Sequence, residues 1–282
     1  MPRPIPARAG IGLRGDHYAE ITEGKPAIGF LEVHSENYFG HGGTPHRYLR
    51  QLREEYPLSF HGVGLSLGSS DPLNERHINR LRELIEEYQP DLVSEHLSWS
   101  SVGNRYLNDL LPVPYTQEAL THMVSRVEQV QERLRRQILI ENVSSYLEYA
   151  QSDIPEWDFV AEVANRSGCG VLLDINNIYV NSQNHNFEPV QFLNAIPQIV
   201  VKEIHLAGHT VNEFEDGRVL IDTHNQLVSE PVWELYRCAV KQFGPVPTLL
   251  EWDTDLPPLS VLLGEAGKAQ RILEERSHAR VA

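Results

Sequence analysis

The chain has 282 residues, of which 41% are hydrophobic and 22% are charged, which fits a globular protein with a sizeable core and excludes a disordered or fibrous chain. The formal net charge of −15 argues against nucleic acid as a partner, because such a surface repels phosphate. The two cysteines, Cys169 and Cys238, cannot make a disulfide framework, the first residues lack the apolar stretch of a secretory signal, and no apolar run is long enough to cross a membrane. We therefore expect a soluble, cytoplasmic protein without membrane contact.

Eight short β-rich runs recur along the chain, and several of them end in a histidine or a carboxylate. Amphipathic stretches with helical spacing lie between them, and the TQEA sequence from Thr116 resembles a capping box. The predicted strands are 10–14, 30–36, 58–63, 92–98, 138–143, 171–176, 201–208 and 248–253. The predicted helices are 16–24, 44–56, 74–89, 116–135, 152–167, 189–196, 230–243 and 259–276.

This alternation predicts parallel strands joined by right-handed crossovers. Eight units in a chain of this length fit a closed (β/α)8 barrel, the TIM barrel, as one domain over residues 1–282 with the barrel at about 10–276. A doubly wound open sheet is the alternative. The glycine-rich segment 62–68, GVGLSLG, lacks the G-x-G-x-x-G spacing that such a sheet usually shows after an early strand.

Side chains at the carboxyl ends of the strands reach the substrate in a TIM barrel. Six successive predicted strands carry a histidine or a carboxylate there: His61, His96, Glu141, Asp174, His205 and Glu251. One histidine at such a position is more often an ordinary hydrogen-bonded side chain. A carboxylate next to Leu-Leu or Ile-Leu-Ile is costly unless it is paired or bound to metal, and one metal site explains all six residues together.

The residue types limit which metal ions are candidates. Imidazole and carboxylate without thiolate suit Fe, Zn or Mn better than Mg or Ca. A catalytic ion usually takes about three protein ligands, so we expect two or three ions with bridging carboxylates. Asp222 and His224 are candidates for a third ion, together with Asp174 or His209, and a solvated loop is an equal alternative for this pair. His34 and Asn177 are candidates for lining the pocket or supporting ligands.

Other reactive residue types are expected to have structural roles. The two cysteines are predicted to be small core residues rather than nucleophiles. Six further histidines lie on helical or loop patterns and are expected at the surface: His17, His41, His46, His77, His122 and His278.

Eight ordered motifs lie along the chain between Gly10 and about Arg276: HSENYFG, FHGVGLSLG, SEHLSW, LIENVSSY, LLDINNIYVN, EIHLAGH, DTHN and LLEWD. They resemble those of the multinuclear non-heme iron-dependent oxidative enzymes, a family that includes the catalytic subunit that makes the copper-chelating peptide methanobactin.

The resemblance implies a TIM barrel related to sugar isomerases and apurinic-site endonucleases. It also implies two or three irons of mixed Fe(II) and Fe(III) state, O₂ as cosubstrate, and modification of residues, commonly cysteines, in a ribosomally made precursor peptide. A separate peptide-recognition protein is an implied partner, and a homodimer is left open. The implied iron ligands are His61 and His96 for one ion, Asp174 and His205 for a second, Glu141 as the bridge with Glu251 beside it, and Asp222 and His224 for a third.

Three other functions remain open from the sequence. A metal-dependent sugar isomerase or epimerase shares the barrel, but such sites are typically rich in carboxylates and bind harder ions. A zinc phosphodiesterase uses a similar mixture of ligands, although the net charge argues against a DNA substrate. A metal-binding protein without enzyme activity is the third alternative.

Overall fold

The computed structural model describes residues 4–103, 105–215 and 217–279, and the side chain of His278 lies outside what it describes. Eight of the described strands are parallel and close into a barrel in the order β1-β2-β3-β4-β7-β8-β9-β12, which confirms the predicted TIM barrel. The strands are Ala9–Gly12 (β1), Leu31–His34 (β2), Leu58–Gly62 (β3), Leu92–His96 (β4), Ser98–Val102 (β5), Arg105–Pro112 (β6), Leu139–Glu141 (β7), Gly170–Asp174 (β8), Val201–Leu206 (β9), Thr210–Phe214 (β10), Gly217–Ile221 (β11) and Thr248–Leu250 (β12).

Helices follow the barrel strands and pack around them. They are Tyr18–Gly24 (α1), Gly43–Arg53 (α2), Glu75–Tyr88 (α3), Gln117–Leu134 (α4), Glu156–Ser167 (α5), Ile175–His185 (α6), Pro189–Ala195 (α7), Glu230–Phe243 (α8) and Leu259–Ala279 (α9). The sequence predicts all of them except α6. This helix begins directly after β8 because the Asp174 carboxylate caps it, accepting a hydrogen bond of 2.6 Å from the Asn177 backbone N–H.

Two antiparallel hairpins, β5–β6 and β10–β11, follow β4 and β9 and were not predicted. Most of β6 and β10 is exposed, and the buried positions of β5 are the small polar residues Ser98 and Ser100, so the hairpin sequences show no clear apolar alternation. Tyr106 on β6 is 72% exposed, and Phe214 on β10 is 59% exposed. Residues of β6 line the cavity at the barrel mouth, so this hairpin forms part of its rim.

The apolar core lies mainly between the barrel and its helices. Leu58 and Phe60 on β3 are fully buried and belong to this core. The alternate residues, Ser59 and His61, lie on the opposite face of the same strand, because successive side chains of a strand point to opposite faces. The barrel interior therefore receives polar side chains from β3. Among the described residues, no helix is long and apolar enough to span a membrane.

Candidate metal centre

Strand register places the predicted site residues on neighbouring strands at one level. His34 on β2 pairs with His61 on β3, and His96 on β4 pairs with Glu141 on β7. The last pair joins β8 and β9, where Asp174 lies beside His205. Parallel strands in this register bring their carboxyl ends to the same mouth of the barrel.

His61, His96 and Glu141 form the first group of side chains. The Nε2 atoms of His61 and His96 lie 3.3 Å and 3.2 Å from the same oxygen, Glu141 Oε2. Each ring is fixed at its other nitrogen: Nδ1 of His61 is 2.8 Å from Ser94 Oγ, and Nδ1 of His96 is 2.9 Å from the Gly62 carbonyl. Donation from Nδ1 leaves the Nε2 lone pairs directed towards Glu141, which is the arrangement of two imidazole ligands and a carboxylate around one ion.

Asp174, His205 and Glu251 form the second group, on the neighbouring strands β8 and β9 and directly after β12. His205 Nδ1 lies 3.2 Å from Glu251 Oε2 and 3.8 Å from Glu141 Oε1. Glu141 therefore faces both groups. Its Oε2 and Asp174 Oδ2 are buried without a hydrogen-bond partner among the described residues. Buried carboxylate oxygens left in this way are poorly accounted for without a cation.

Asp222 and His224 lie on the edge of this centre. His224 Nε2 is 2.7 Å from Asp222 Oδ1, and His224 Nδ1 is 3.0 Å from Asp253 Oδ2 and 3.5 Å from Glu251 Oε2. Arg14 hydrogen-bonds Asp253 and lies 3.9 Å from Glu251. Asp222 and His224 are thus in contact with the centre, although one wall of their site faces the open mouth. The sequence analysis did not single out Arg14 or Asp253, although Asp253 alternates with Glu251 at a spacing of two.

The three additional candidates have different positions. His34 Nε2 lies 3.5 Å from Glu251 Oε1 and lines the mouth. His209 is separated from the ligand cluster, because its Nδ1 contacts Asn176 Oδ1 at 2.8 Å and Asn176 in turn donates to Asp222. The Asn177 amide donates to the Asn142 carbonyl at 3.1 Å, so it supports the loop after β7.

A buried carboxylate below the centre was also missed by the sequence analysis. Glu32 on β2 is fully buried, and its Oε2 lies 3.3 Å from His205 Nε2, the nitrogen that faces away from Glu141. Glu203 on β9, also fully buried, accepts a hydrogen bond of 3.0 Å from Ser59 Oγ instead. Since Glu32 precedes His34 by two residues, strand alternation was the signal that could have placed it in the barrel interior.

The histidines of the centre differ in the direction in which their pKa values are shifted. Burial lowers the pKa of His96 to about 4 and holds the pKa of His61 well below its usual value, so both rings are neutral and can donate a lone pair. Although burial opposes it, the carboxylates of Glu32 and Glu251 raise the pKa of His205 well above its usual value. In the metal-free protein a proton on His205 therefore offsets part of the carboxylate charge.

Burial and neighbouring negative charges both raise the pKa values of the carboxyl groups at the centre. Burial raises the pKa of Asp174 to about 7, with Asp222 adding to the effect. Burial also raises the pKa of Glu141 well above its usual range, and the neighbouring carboxylates of Asp174 and Glu251 raise it further. A cation among these groups would replace the protons that they otherwise hold.

The donor atoms fit two adjacent metal ions. In each of two groups, His61–His96–Glu141 and Glu141–Asp174–His205, the potential ligand atoms all lie within 4.8 Å of one another. Glu141 belongs to both groups and can bridge two ions with its two oxygens. The set is nitrogen and oxygen only, which suits iron, zinc or manganese. All six residues expected from the strand ends converge, as the sequence analysis predicts.

The carboxylates of Glu36 and Glu95 hold the glycine-rich segment after β3. Glu36 Oε1 accepts hydrogen bonds from the Val63 and Gly64 N–H groups, and Glu95 Oε1 accepts one from Leu65 N–H. His77 Nε2 lies 3.4 Å from Glu36 Oε1. These contacts fix the segment whose Gly62 carbonyl orients His96.

The expectation of surface positions is wrong for several residues. His17 and His46 are each 4% exposed, because their rings hydrogen-bond the Pro257 carbonyl and the Tyr88 hydroxyl. The His77 side chain is 10% exposed beside Glu36. Conversely, Cys238, expected in the core, is exposed, whereas Cys169 is buried as predicted.

A cavity of about 540 Å³, the mouth cavity, opens above the centre. His61, His96, Glu141 and Glu251 form part of its floor. Apolar side chains of the surrounding loops, such as Val63, form part of its wall. The space is large enough for several residues of an extended peptide and reaches the ligand atoms directly.

Solved structures with the same architecture define the class of this protein. Endonuclease IV from Thermus thermophilus superposes with a TM-score of 0.60 at 16% identity, over 96% of this chain and 99% of that one. A D-psicose 3-epimerase from Clostridium cellulolyticum, in a structure with D-tagatose, gives a TM-score of 0.59 at 12% identity, over 96% and 98% of the two chains. These likenesses show the fold alone: a xylose isomerase-like TIM barrel, here with a histidine and carboxylate centre at its mouth.

Sequence comparison identifies the family. The model described as "RiPP precursor modification enzyme MbnB/TglH/ChrH" matches residues 8–274. A UPF0276 protein of Vibrio vulnificus is 51% identical over 264 residues, covering 94% of this chain and 91% of the relative. A UPF0276 protein of Chromobacterium violaceum is 48% identical over 276 residues, covering 97% and 98%. The chain belongs to the MbnB/TglH/ChrH family of enzymes that modify RiPP precursors, the ribosomally made peptides, and the resemblance seen in the sequence is confirmed.

Proposed function

We propose that this protein is a multinuclear non-heme iron enzyme that uses O₂ to oxidise cysteine residues of a ribosomally made precursor peptide. The observation that supports it best is the position of Glu141, whose two oxygens face the His61–His96 pair on one side and His205 on the other. A bridging carboxylate between two imidazole-containing groups suits two ions held close together. Family membership supplies the peptide substrate class.

The ligands divide among the ions by proximity. His61 and His96 would hold one iron, and Asp174 and His205 a second, with Glu141 between them. Glu251, which contacts His205, would complete the second site. Asp222 and His224 would hold a third ion, with Asp253 orienting the His224 ring through Nδ1.

Bound iron would supply O₂ reduction at an open coordination position and a Lewis acid for a cysteine thiolate. Full reduction of one O₂ to two waters takes up four electrons and four protons, all of which the peptide provides in a four-electron oxidation. The chain's own contribution is to position and shield. Arg14 neutralises Asp253 beside the centre, and the walls of the mouth cavity limit the access of water to the reacting cysteine.

Metal analysis of protein purified without oxygen tests this proposal. We expect two or more irons per chain, an electronic spectrum that changes on exposure to O₂, and oxygen uptake that depends on a cysteine-containing peptide. Glu141→Gln is the matched variant, which should lose iron and oxygen uptake together. Stoichiometric zinc after open metal competition, with no oxygen uptake, would contradict the proposal and favour hydrolysis.

We also propose that a separate peptide-recognition protein, acting with this chain in the cytoplasm, is needed for full turnover. The acidic surface would help to draw in a basic leader segment, an attraction that added salt should weaken because exposed charges are screened over about 8 Å at physiological ionic strength. The test is reconstitution of the iron-loaded chain with a cognate cysteine-containing peptide. Full-rate conversion without any partner protein would contradict this part of the proposal.

A further inference from the structure

A second cavity, of about 680 Å³, lies beside the mouth cavity and is separated from it by residues 144–147. Ser144 and Tyr146 line the mouth cavity, whereas Ser145 and Leu147 line the second cavity. This alternation makes the segment a shared wall. A peptide whose cysteine reaches the mouth cavity can therefore cross the wall, where Tyr146 and Leu147 are 40% and 39% exposed, and place a neighbouring side chain in the second cavity.

Aromatic rings form much of the lining. Trp157 and Phe187 stand with ring centroids 5.4 Å apart, and Tyr149 accepts a hydrogen bond from Trp99 Nε1 at 3.3 Å. Tyr115 lines the same space. Partly buried aromatic rings around an open cavity present the ring faces that attract cations and the apolar surface that suits an alkyl stem.

The charged residues that line the cavity are acidic. Glu156, Glu148 and Asp153 contribute carboxyl groups, and no lysine or arginine of the described chain lines it. His185 also lines the cavity, with its Nδ1 3.8 Å from Glu148 Oε2 and its Nε2 2.9 Å from the Ser145 carbonyl. Glu156 accepts a hydrogen bond of 3.2 Å from the Asn181 amide. Burial raises the pKa of Glu156 to about 8, although Asn181 and the Tyr115 hydroxyl both lower it. The carboxyl group thus lies in a desolvated position where a neutral amide and a hydroxyl are its partners, and it would release its proton when a cation enters the cavity.

Asn181 connects this carboxylate to the wall of the mouth cavity. Its amide donates to the Val143 carbonyl at 2.9 Å as well as to Glu156, and its oxygen accepts the Ser145 N–H at 2.7 Å. The two cavities therefore share one rigid polar link, and their spacing is fixed by α6.

We propose that the second cavity binds a basic side chain, lysine or arginine, of the precursor peptide, with Glu156 as its counter-ion and the aromatic rings as the walls around its stem. This assignment rests on the proposed peptide-modifying function for the identity of the ligand. It adds a specificity site that holds a residue near the cysteine to be modified. The three lining carboxyl groups and the absence of a lining lysine or arginine among the described residues favour a basic side chain over an acidic one. The aromatic walls favour a long alkyl stem over a short polar one.

Trp157 provides a direct probe of occupancy. The titration is run above pH 8, where the Glu156 carboxyl is ionised. It uses N-acetyl-lysine amide, N-acetyl-arginine amide and N-acetyl-norleucine amide against the whole protein, and follows tryptophan emission with Trp157→Phe to assign the signal. Norleucine has the lysine stem without the charge. We expect the basic amides to bind about tenfold more tightly than the norleucine amide, since a partly desolvated cation–π contact and an ion pair together give differences of this size.

Glu156→Gln should abolish the preference for the basic amides. Asp158→Asn is the matched control, because it removes an acidic residue from the first turn of the same helix at an exposed position that does not line the cavity. Equal binding of the three amides to the wild type, or an unchanged preference in Glu156→Gln, would overturn the proposal. The titration needs neither iron nor turnover, so its failure is distinguishable from a failure of the proposed oxidase activity.

Discussion

Glu32→Gln isolates the role of the buried carboxylate beneath the metal centre. His205 Nε2 contacts Glu32 Oε2 at 3.3 Å, which leaves Nδ1 facing Glu251 and Glu141. Glutamine keeps the size and an acceptor oxygen but removes the negative charge. The variant should therefore keep the ring in place and weaken His205 as a ligand, because a carboxylate partner raises the basicity of a metal-bound imidazole.

The expected loss of metal affinity depends on the burial of the Glu32–His205 pair. Loss of such a partner typically costs about 10- to 100-fold in metal affinity, or about 1.4–2.8 kcal/mol. Both side chains are fully buried, so water does not screen their interaction. We therefore expect a loss near the upper end, about 30- to 100-fold, for the ion held by His205 and little change for the ion held by His61 and His96.

Glu203→Gln provides the matched control. Glu203 lies in the same part of the barrel interior with the same burial, but Ser59 Oγ is its hydrogen-bond partner and none of its hydrogen bonds involves the His205 ring. Burial raises the pKa of the Glu203 carboxyl well above its usual range, so glutamine replaces a protonated group of nearly the same shape. Metal affinity should change by less than about threefold, since no ligand-orienting contact is removed.

Competition with a chromophoric chelator under anaerobic conditions measures both affinities, and thermal unfolding of the metal-free proteins reports whether each variant folds. Equal losses of affinity in Glu32→Gln and Glu203→Gln would refute the contact with His205 as the cause. Wild-type affinity in Glu32→Gln would refute the reasoning altogether.

Three further outcomes are expected. Glu141→Gln should reduce bound iron from two or more per chain to about one or fewer, because one bridge serves two ions; elemental analysis showing wild-type content would contradict the bridge. Asp222→Asn should remove one ion, and unchanged iron content would favour the solvated-loop alternative. In metal-free protein, the buried Glu156 carboxyl keeps its proton up to about pH 8 whereas the unfolded chain loses it near 4.5, so its contribution lowers the unfolding free energy by up to about 1.4 kcal/mol per unit as pH rises through this window. Urea titrations should show a flatter profile in Glu156→Gln, and parallel profiles would contradict the buried carboxyl.

The barrel could be predicted because each unit carries its own local signal. Eight β-rich runs separated by helical periodicity leave few topologies open, and all eight runs form barrel strands. The helix α6 was missed because the run ending at Asp174 passes directly into it, and the capping role of the Asp174 carboxylate is visible only in the structure. The two hairpins were missed because each follows a barrel strand closely and is largely exposed.

The six strand-end residues could be predicted because their position in the fold follows from strand position alone. Arg14 and Asp253 could not, since their importance depends on contacts between β1 and β12, the first and last strands of the barrel, which meet only on closure. For His77, the prediction of an exposed position is wrong. Its place early in a helix suggested exposure, yet α3 packs against the segment of Glu36 and brings His77 Nε2 to 3.4 Å from Glu36 Oε1.

The polar interior of the barrel is a further indication of a metal centre at its mouth. Branched apolar side chains usually fill the interior of a TIM barrel. Here Glu32, Ser59 and Glu203 occupy part of it, all fully buried. Burial, with the charge of Glu32 adding to it, raises the pKa of the Glu203 carboxyl well above its usual range. His205 lies above them with its pKa raised by Glu32 and Glu251, although burial opposes this. A buried carboxylate at Glu32 is explained if it holds His205 in a charged or metal-bound form at the centre. The metal affinity of Glu32→Gln tests this explanation.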